Sequence, residues 1–305
     1  MQSFRRMLLA VACVLPSFAQ AQPARVPAVA LAGPDGAMAA GIEQALLAPW
    51  RARGGSARYT AVPPPQPVYR LLGAGPAAHG HDLALLDPLG AAAALARGLV
   101  VALPPGSVAT AEHLPLPVRA ATAPCVPIGF DALLVAASPV AERGGNRTRP
   151  YLVALMAQAE AADWRDWQAG LARLARIGAV APVWRSEALR AVPALQATPP
   201  AEGIVLQPLL LCLAAGAANL RAALTFADFA LQPDRQAALA VALRLAPARP
   251  GVTLPAEWRA RLPDPWQGAA PALLPDAAGL AQLRARLAAH AAETLAEAAP
   301  VVRGD

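Results

Sequence analysis

The sequence predicts an α/β protein with mainly parallel strand pairing. Short apolar runs alternate with alanine-rich stretches of helical spacing, and two longer apolar segments, 126–136 and 204–213, are long enough to cross between two sheets.

Val26 to Leu31 is the first strand, Gly33-Pro34-Asp35-Gly36 a tight loop, and Ala37 to Trp50 a helix with Ile42, Leu46 and Leu47 on one side. Arg58 to Val62 gives a second strand, and the prolines at 63–65 precede a short helix around Val68 to Leu72. Asp82 to Leu86 is a third strand, stopped by Asp87-Pro88. The helix Gly90 to Arg97 closes at Gly98, and Leu99 to Leu103 returns as a strand.

Residues 104–124 read as proline-rich turns, and Val126 to Ala136 as the first crossing strand. Helices follow over Tyr151 to Glu160 and Asp163 to Arg176, the second carrying a stripe of Trp164, Trp167, Leu171 and Leu174. Val180 to Trp184 is a strand and 204–213 the return crossing. Helices at Asn219 to Leu231 and Pro233 to Leu245 come next, and a last one at Asp276 to Glu297 places Leu280, Leu283, Leu287 and Leu295 at helical spacing.

The N-terminus reads as a cleavable export signal. Arg5 and Arg6 precede the apolar run Met7 to Leu15, and Ala19-Gln20-Ala21 offers a cleavage site before Gln22. The run is too short to span a hydrocarbon core of about 30 Å as a helix. The adjacent arginines fit general and twin-arginine export alike, and a lipid anchor on Cys13 is disfavoured by the short apolar region before it.

Every basic residue is arginine: 26 of them face 20 carboxylates, and loss of Arg5 and Arg6 with the signal leaves a net charge of +4. The arginines are scattered rather than blocked, which excludes a nucleic-acid stripe or a polybasic membrane patch. Cys125 and Cys212 would remain in an oxidising compartment, where they form either a disulfide or two buried thiols; spacing does not decide between these.

No G-x-S-x-G, P-loop or cysteine–histidine pair suggests catalysis, and no cofactor is expected. His79, His81 and Asp82 lie close enough for a metal site, but two histidines one residue apart in a glycine-rich loop more often mark a solvated turn.

Three stretches carry a resemblance to a known family: Gly33 to Gly36 followed by Pro49-Trp50 and Gly54-Gly55; HDLALLDPLGAAAALARGLVVAL from His81; and AANLRAALTFADFALQPDRQAALA from Ala217, the most specific. LPAEWRARLP from Leu254 fits the same pattern. Together they resemble the extracellular solute-binding proteins of ABC importers, of the spermidine and putrescine type, over most of residues 26–275.

That resemblance implies a two-lobed type 2 periplasmic-binding-protein fold, its sheets joined by two hinge strands and a solute enclosed between the lobes. The division would be a signal peptide at 1–21, a first lobe at 22–127 and 214–305, and a second lobe at 128–213. It implies a periplasmic monomer that is no enzyme, whose partners are a small, cationic, polyamine-like solute and an inner-membrane ABC permease, with no nucleic acid. A sensor or scaffold with an altered or lost ligand, or an enzyme on the same fold, is the alternative.

Several residues then become candidates for solute contact. Asp35, in the first strand-to-helix loop, reads either as a helix cap or as a partner for an ammonium group. Asp87 ends a strand where the family's second ligand loop begins, although a turn with Pro88 explains it equally. Asp131 is a charge within an apolar crossing strand and must be solvated or paired. Trp184 matches a family tryptophan whose indole packs on the solute, and Ser186 and Glu187 follow it. Gln207 stands in the return strand where polyamine binders carry an acid, so the acidic clamp is incomplete. The family's iron-binding relatives use clustered tyrosines, whereas this chain has Tyr59, Tyr69 and Tyr151.

Overall fold

The computed structural model describes residues 28–72, 80–104, 106–136, 145–160, 162–177, 182–191, 196–262 and 272–298. The predicted signal peptide, Cys13 and His79 lie outside them.

The chain opens with β1 (Ala28–Pro34), α1 (Ala37–Ile42), a π-helical turn over Glu43–Leu47, α2 (Ala48–Ala52) and β2 (Ser56–Val62). A 3-10 turn at Val68–Leu72 leads to β3 (Leu83–Leu86), α3 (Pro88–Leu95) and the two-residue β4 (Val100–Val101). The proline-rich stretch before the crossing strand is not all turn: it holds a 3-10 segment, Ala109–His113, and α4 (Leu116–Thr122), started by Pro115 and Pro117, residues that a first helical turn tolerates.

The crossing strand β5 (Val126–Ala136) precedes α5 (Gly145–Ala159), α6 (Trp167–Ile177), β6 (Pro182–Trp184), α7 (Arg185–Arg190) and β7 (Ala197–Thr198). Then come β8 (Ile204–Ala214), α8 (Leu220–Ala230), α9 (Pro233–Leu243), α10 (Ala256–Arg259), β9 (Ala272–Leu273) and α11 (Ala277–Ala298). Among the described residues no helix is long and apolar enough to cross a membrane.

Hydrogen bonding links the strands in the order β2-β1-β3-β8-β5-β6, with β4 and β9 on β8 and β7 on β5. Pairing is parallel within β2-β1-β3 and between β8 and β9, while every antiparallel ladder contains β5 or β8. The parallel prediction therefore holds for the βα units, and the antiparallel part comes from the two crossing strands. These run side by side from Val126 against Leu211 to Ala132 against Leu206.

Strand alternation sorts the first group of apolar residues onto two faces. Leu31, Leu83, Leu85, Leu211 and Leu213 join Ile42, Leu46, Phe226 and Leu243 on one face, and Ala32, Ala84, Leu86, Leu210 and Cys212 join Ala91 and Ala94 on the other. With both faces covered, β8 needs apolar residues at nearly every position, which is why it reads as a continuous run. Cys125 and Cys212, opposite one another at the first-group end of the crossing strands, form a disulfide with a Cα separation of 4.5 Å.

At the other end of the crossing strands a separate cluster gathers Leu133, Tyr151, Leu155, Trp184 and Val205, with the stripe of α6 packed against it. Gly170 lets α6 lie directly on α5, since a Cβ there would come within 2.3 Å of the Val153 carbonyl oxygen. Residues 272–298, grouped in the sequence with the first lobe, also reach this cluster. The strand β9 pairs with Ile204 and Val205, and Leu273, Leu280, Leu283 and Leu287 belong to the cluster. The helix α11 also lies against α3, so it touches both groups.

Candidate functional site

The crossing strands are buried along almost their whole length, and solvent reaches β5 only at Asp131 and Val135 and β8 only at Ile204 and Gln207. Asp131 and Gln207 stand directly opposite one another in the antiparallel register. A carboxylate and a carboxamide thus form the polar, partly solvated point in the paired stretch of the two strands.

Asp131 is not a free charge. Its Oδ1 accepts the backbone N–H of Ser186 at 3.0 Å and of Ala132 at 2.9 Å, and its Oδ2 accepts the Ser186 hydroxyl at 2.5 Å. Burial is the largest influence on this carboxyl and pushes it up to about 6, against the lowering effects of the Ser186 and Ala132 bonds and of the Arg185 charge. Ser186 is buried, and both its backbone N–H and its hydroxyl donate to Asp131.

Trp184 ends β6 opposite Leu133 and is buried. Its indole meets the Tyr151 ring edge to face, centroids 5.0 Å apart at 85°. Tyr151, in α5, is 1 % exposed, yet its hydroxyl has no hydrogen-bond partner among the described residues. Burial, and after it the Asp87 carboxylate, raise the Tyr151 phenol well above its ordinary value. Asp87 is the N-cap of α3 and accepts the Gly90 N–H at 2.6 Å; its side chain remains exposed, and the neighbouring Leu89 packs on the Tyr151 cluster. The structure therefore pairs Tyr151 with Trp184, places Asp87 where its charge reaches the Tyr151 phenol, and brings Asp131, Ser186 and Gln207 together.

Asp35 and Glu187 stand outside this arrangement. Asp35 is exposed and accepts only the N–H of Gly36, which is itself the N-cap of α1, so the helix-cap reading of Asp35 does not hold. The aspartate's charge acts on Tyr59, whose hydroxyl donates to the Pro34 carbonyl at 2.7 Å. Glu187 is exposed in the first turn of α7.

Sequence reasoning passed over two residues. Tyr151 reads as the start of a helix and one of three tyrosines, and Arg185 as one of the scattered arginines, whereas Tyr151 and Arg185 are both buried. Nothing in the local pattern marks either residue, because their environment comes from the packing of α5, β6 and α7.

Of the histidine loop, His81 and Asp82 are among the described residues, and both have partners within the fold. His81 Nε2 lies 2.9 Å from the Thr60 hydroxyl. Asp82 is fully buried and accepts the N–H groups of Ala30 and Asn219, each at 2.8 Å. Among the described residues no group of three or more His, Cys, Asp or Glu side chains is placed to hold a metal ion. The three tyrosines have separate neighbours: Pro34 for Tyr59, Arg97 for Tyr69, and Trp184 for Tyr151. A cavity of about 800 Å³ opens between α3, α4 and α11, lined chiefly by alanine, leucine and proline, and includes none of the candidate residues.

Residues 154–263 match a family described as bacterial extracellular solute-binding protein. Among solved structures, an extracellular solute-binding protein from Bordetella parapertussis superposes with a TM-score of 0.72 at 15 % identity, over 88 % of this chain and 98 % of its own. An ABC transporter protein from Clostridium perfringens gives 0.67 at 14 % identity, over 85 % and 97 %. A Bordetella ferric binding protein gives 0.62 at 14 % identity, over 87 % and 98 %. The likeness is one of fold, and it extends over nearly the full length of each of these chains. No curated protein matches the sequence.

Proposed function

We propose that the protein is the periplasmic solute-binding component of an ABC importer, acting as a monomer that captures a small cationic, polyamine-like solute between two lobes joined by β5 and β8. The fold and the match over residues 154–263 support the binding role. The solute would be handed to an inner-membrane permease that recognises the closed form.

The observation that carries the site is the Tyr151 hydroxyl, buried without a partner among the described residues, against the Trp184 ring and within reach of the Asp87 charge. A buried hydroxyl left unpaired costs about 1–3 kcal/mol, a cost that a bound ligand removes. An ammonium group donates to both the Asp87 carboxylate and the Tyr151 oxygen, and its methylenes pack on the indole. Asp131 and Gln207 would line the floor at the waist. Ferric iron is the weaker reading, because burial keeps the Tyr151 phenol protonated and the other two tyrosines have partners elsewhere.

Thermal shift and titration calorimetry with diamines, polyamines, amino acids and small anions test this reading, since a ligand selective for the folded state raises its stability. A cationic solute should raise Tm without turnover, and changing Asp87, Asp131 and Trp184 together to alanine should abolish the shift. Retention of full affinity in that triple variant would refute the site.

A further inference from the structure

Helix α7 faces two ways. Its first turn is tied to β5, because the Ser186 N–H and hydroxyl both donate to Asp131, and Ala188 packs with Leu134, Ala136 and Val183 beyond the paired stretch of the crossing strands. The next two residues turn to α9 instead. Leu189 packs on the cluster of Ala240, Leu254 and Leu262, with Trp258 beside it. Arg190 donates to the carbonyl of Leu243, the last residue of α9. The final carbonyls of a helix lack partners within it and favour a cation, which makes Leu243 a good acceptor.

Strand pairing fixes the side of the molecule on which this contact falls. In the order β2-β1-β3-β8-β5, the loops that carry Asp35 and Asp87 follow β1 and β3, on the β8 side of β5. The chain leaving α9 lies on the other edge of β5, where Phe130 and Ala246 exchange backbone hydrogen bonds at 2.8 Å. Leu189 and Arg190 therefore meet α9 across the crossing strands from those two loops. Bodies that rotate about a shared pair of strands approach on one side as they part on the other. The contact is also small: a half-buried leucine and one hydrogen bond, with burial and then the Arg244 charge acting against the Arg190 cation, and Asp131 and Glu187 acting for it. Small interfaces between domains part readily.

We propose that the contact of α7 with α9 is a brake on closure, one that holds the lobes apart in the solute-free protein and breaks when they close on a solute. The inference rests on the two-lobed, solute-binding reading above and adds to it two residues outside the proposed pocket. Capture of a solute then works against Leu189 and Arg190, and these side chains tune affinity by setting how much of the free protein is open.

Small-angle X-ray scattering of the solute-free protein tests the brake. A compact chain of this length has a radius of gyration of roughly 19 Å, and Leu189→Ala combined with Arg190→Gln should lower the wild-type value by about 0.5 Å or more as the lobes move toward the closed form. Arg190→Gln alone, which leaves the leucine in place, should shift it in the same direction, and circular dichroism identifies a variant that fails to fold. An unchanged or larger radius in the double variant, or in Arg190→Gln should the double variant not fold, would overturn the brake, because loss of an ordinary packing contact loosens a fold without drawing its lobes together. No solute enters the measurement, so that result would leave the solute-binding reading standing.

Discussion

Asp131 of β5 accepts both the backbone N–H and the hydroxyl of Ser186, at 3.0 and 2.5 Å, and so ties the crossing strand to the first turn of α7. Because burial holds this carboxyl at about 6, above its ordinary 3.8, the folded protein binds more protons than the unfolded chain between those values. The resulting stability is fully present below about pH 4 and is lost as pH rises through 6. Urea unfolding from pH 4 to 7 should show wild type losing stability relative to Asp131→Asn, which does not titrate. Parallel curves for the two proteins would contradict the assignment.

Tyr151→Phe separates binding from folding. The hydroxyl has no partner among the described residues, so its removal should leave the Tm of the solute-free protein unchanged or slightly higher. Solute affinity should fall about tenfold, or about 1.4 kcal/mol. A large drop in Tm with unaltered affinity would place the hydroxyl in the core network instead.

Asp82 gives the opposite pattern. Its carboxylate, fully buried, bonds β1 at Ala30, 52 residues before it, and the start of α8 at Asn219, 137 residues after it. Asp82→Ala should cost about 3 kcal/mol or more, as loss of charge-assisted buried bonds does, and Asp82→Asn less. Chemical denaturation measures this directly, and a cost under about 1 kcal/mol would show that the bonds contribute little.

Removing the disulfide by changing Cys125 and Cys212 to alanine together should lower stability by about 2–5 kcal/mol, in line with a crosslink closing a long loop. Because both cysteines are buried beside Ala84, Leu86 and Leu210, reductant should act slowly on the folded protein and quickly in denaturant. Equal rates under the two conditions would argue against a protected bond.

The crossing strands were legible because a strand buried on both faces needs a nearly continuous apolar sequence, and 126–136 and 204–213 have it but for Asp131 and Gln207. The helix pair at 220–230 and 233–243 showed through its spacing and the proline that opens its second member. In that stretch Gln236 is fully buried; its amide donates to the Ile128 and Ala230 carbonyls and its oxygen accepts the Ala248 N–H, a role that no local pattern announces. The same limit explains Tyr151 and Arg185, whose character depends on neighbours distant in sequence. The helix α4 was hidden because prolines that read as turn residues also suit a first helical turn. The last helix revealed its apolar stripe but not which cluster would receive it, since leucines at helical spacing specify a face and no destination.

Cys125 and Cys212 fasten β5 to β8 at one end, where β3 and β4 also grip β8. Past Ala132 and Leu206 the two chains separate, β5 turning to β6 and β8 to β9. The strand pair is therefore held most firmly at its disulfide end, and Asp131 and Gln207 lie toward the end where each strand leaves the other. Under the proposed role, a solute resting on those two side chains would act next to the less constrained end of the pair.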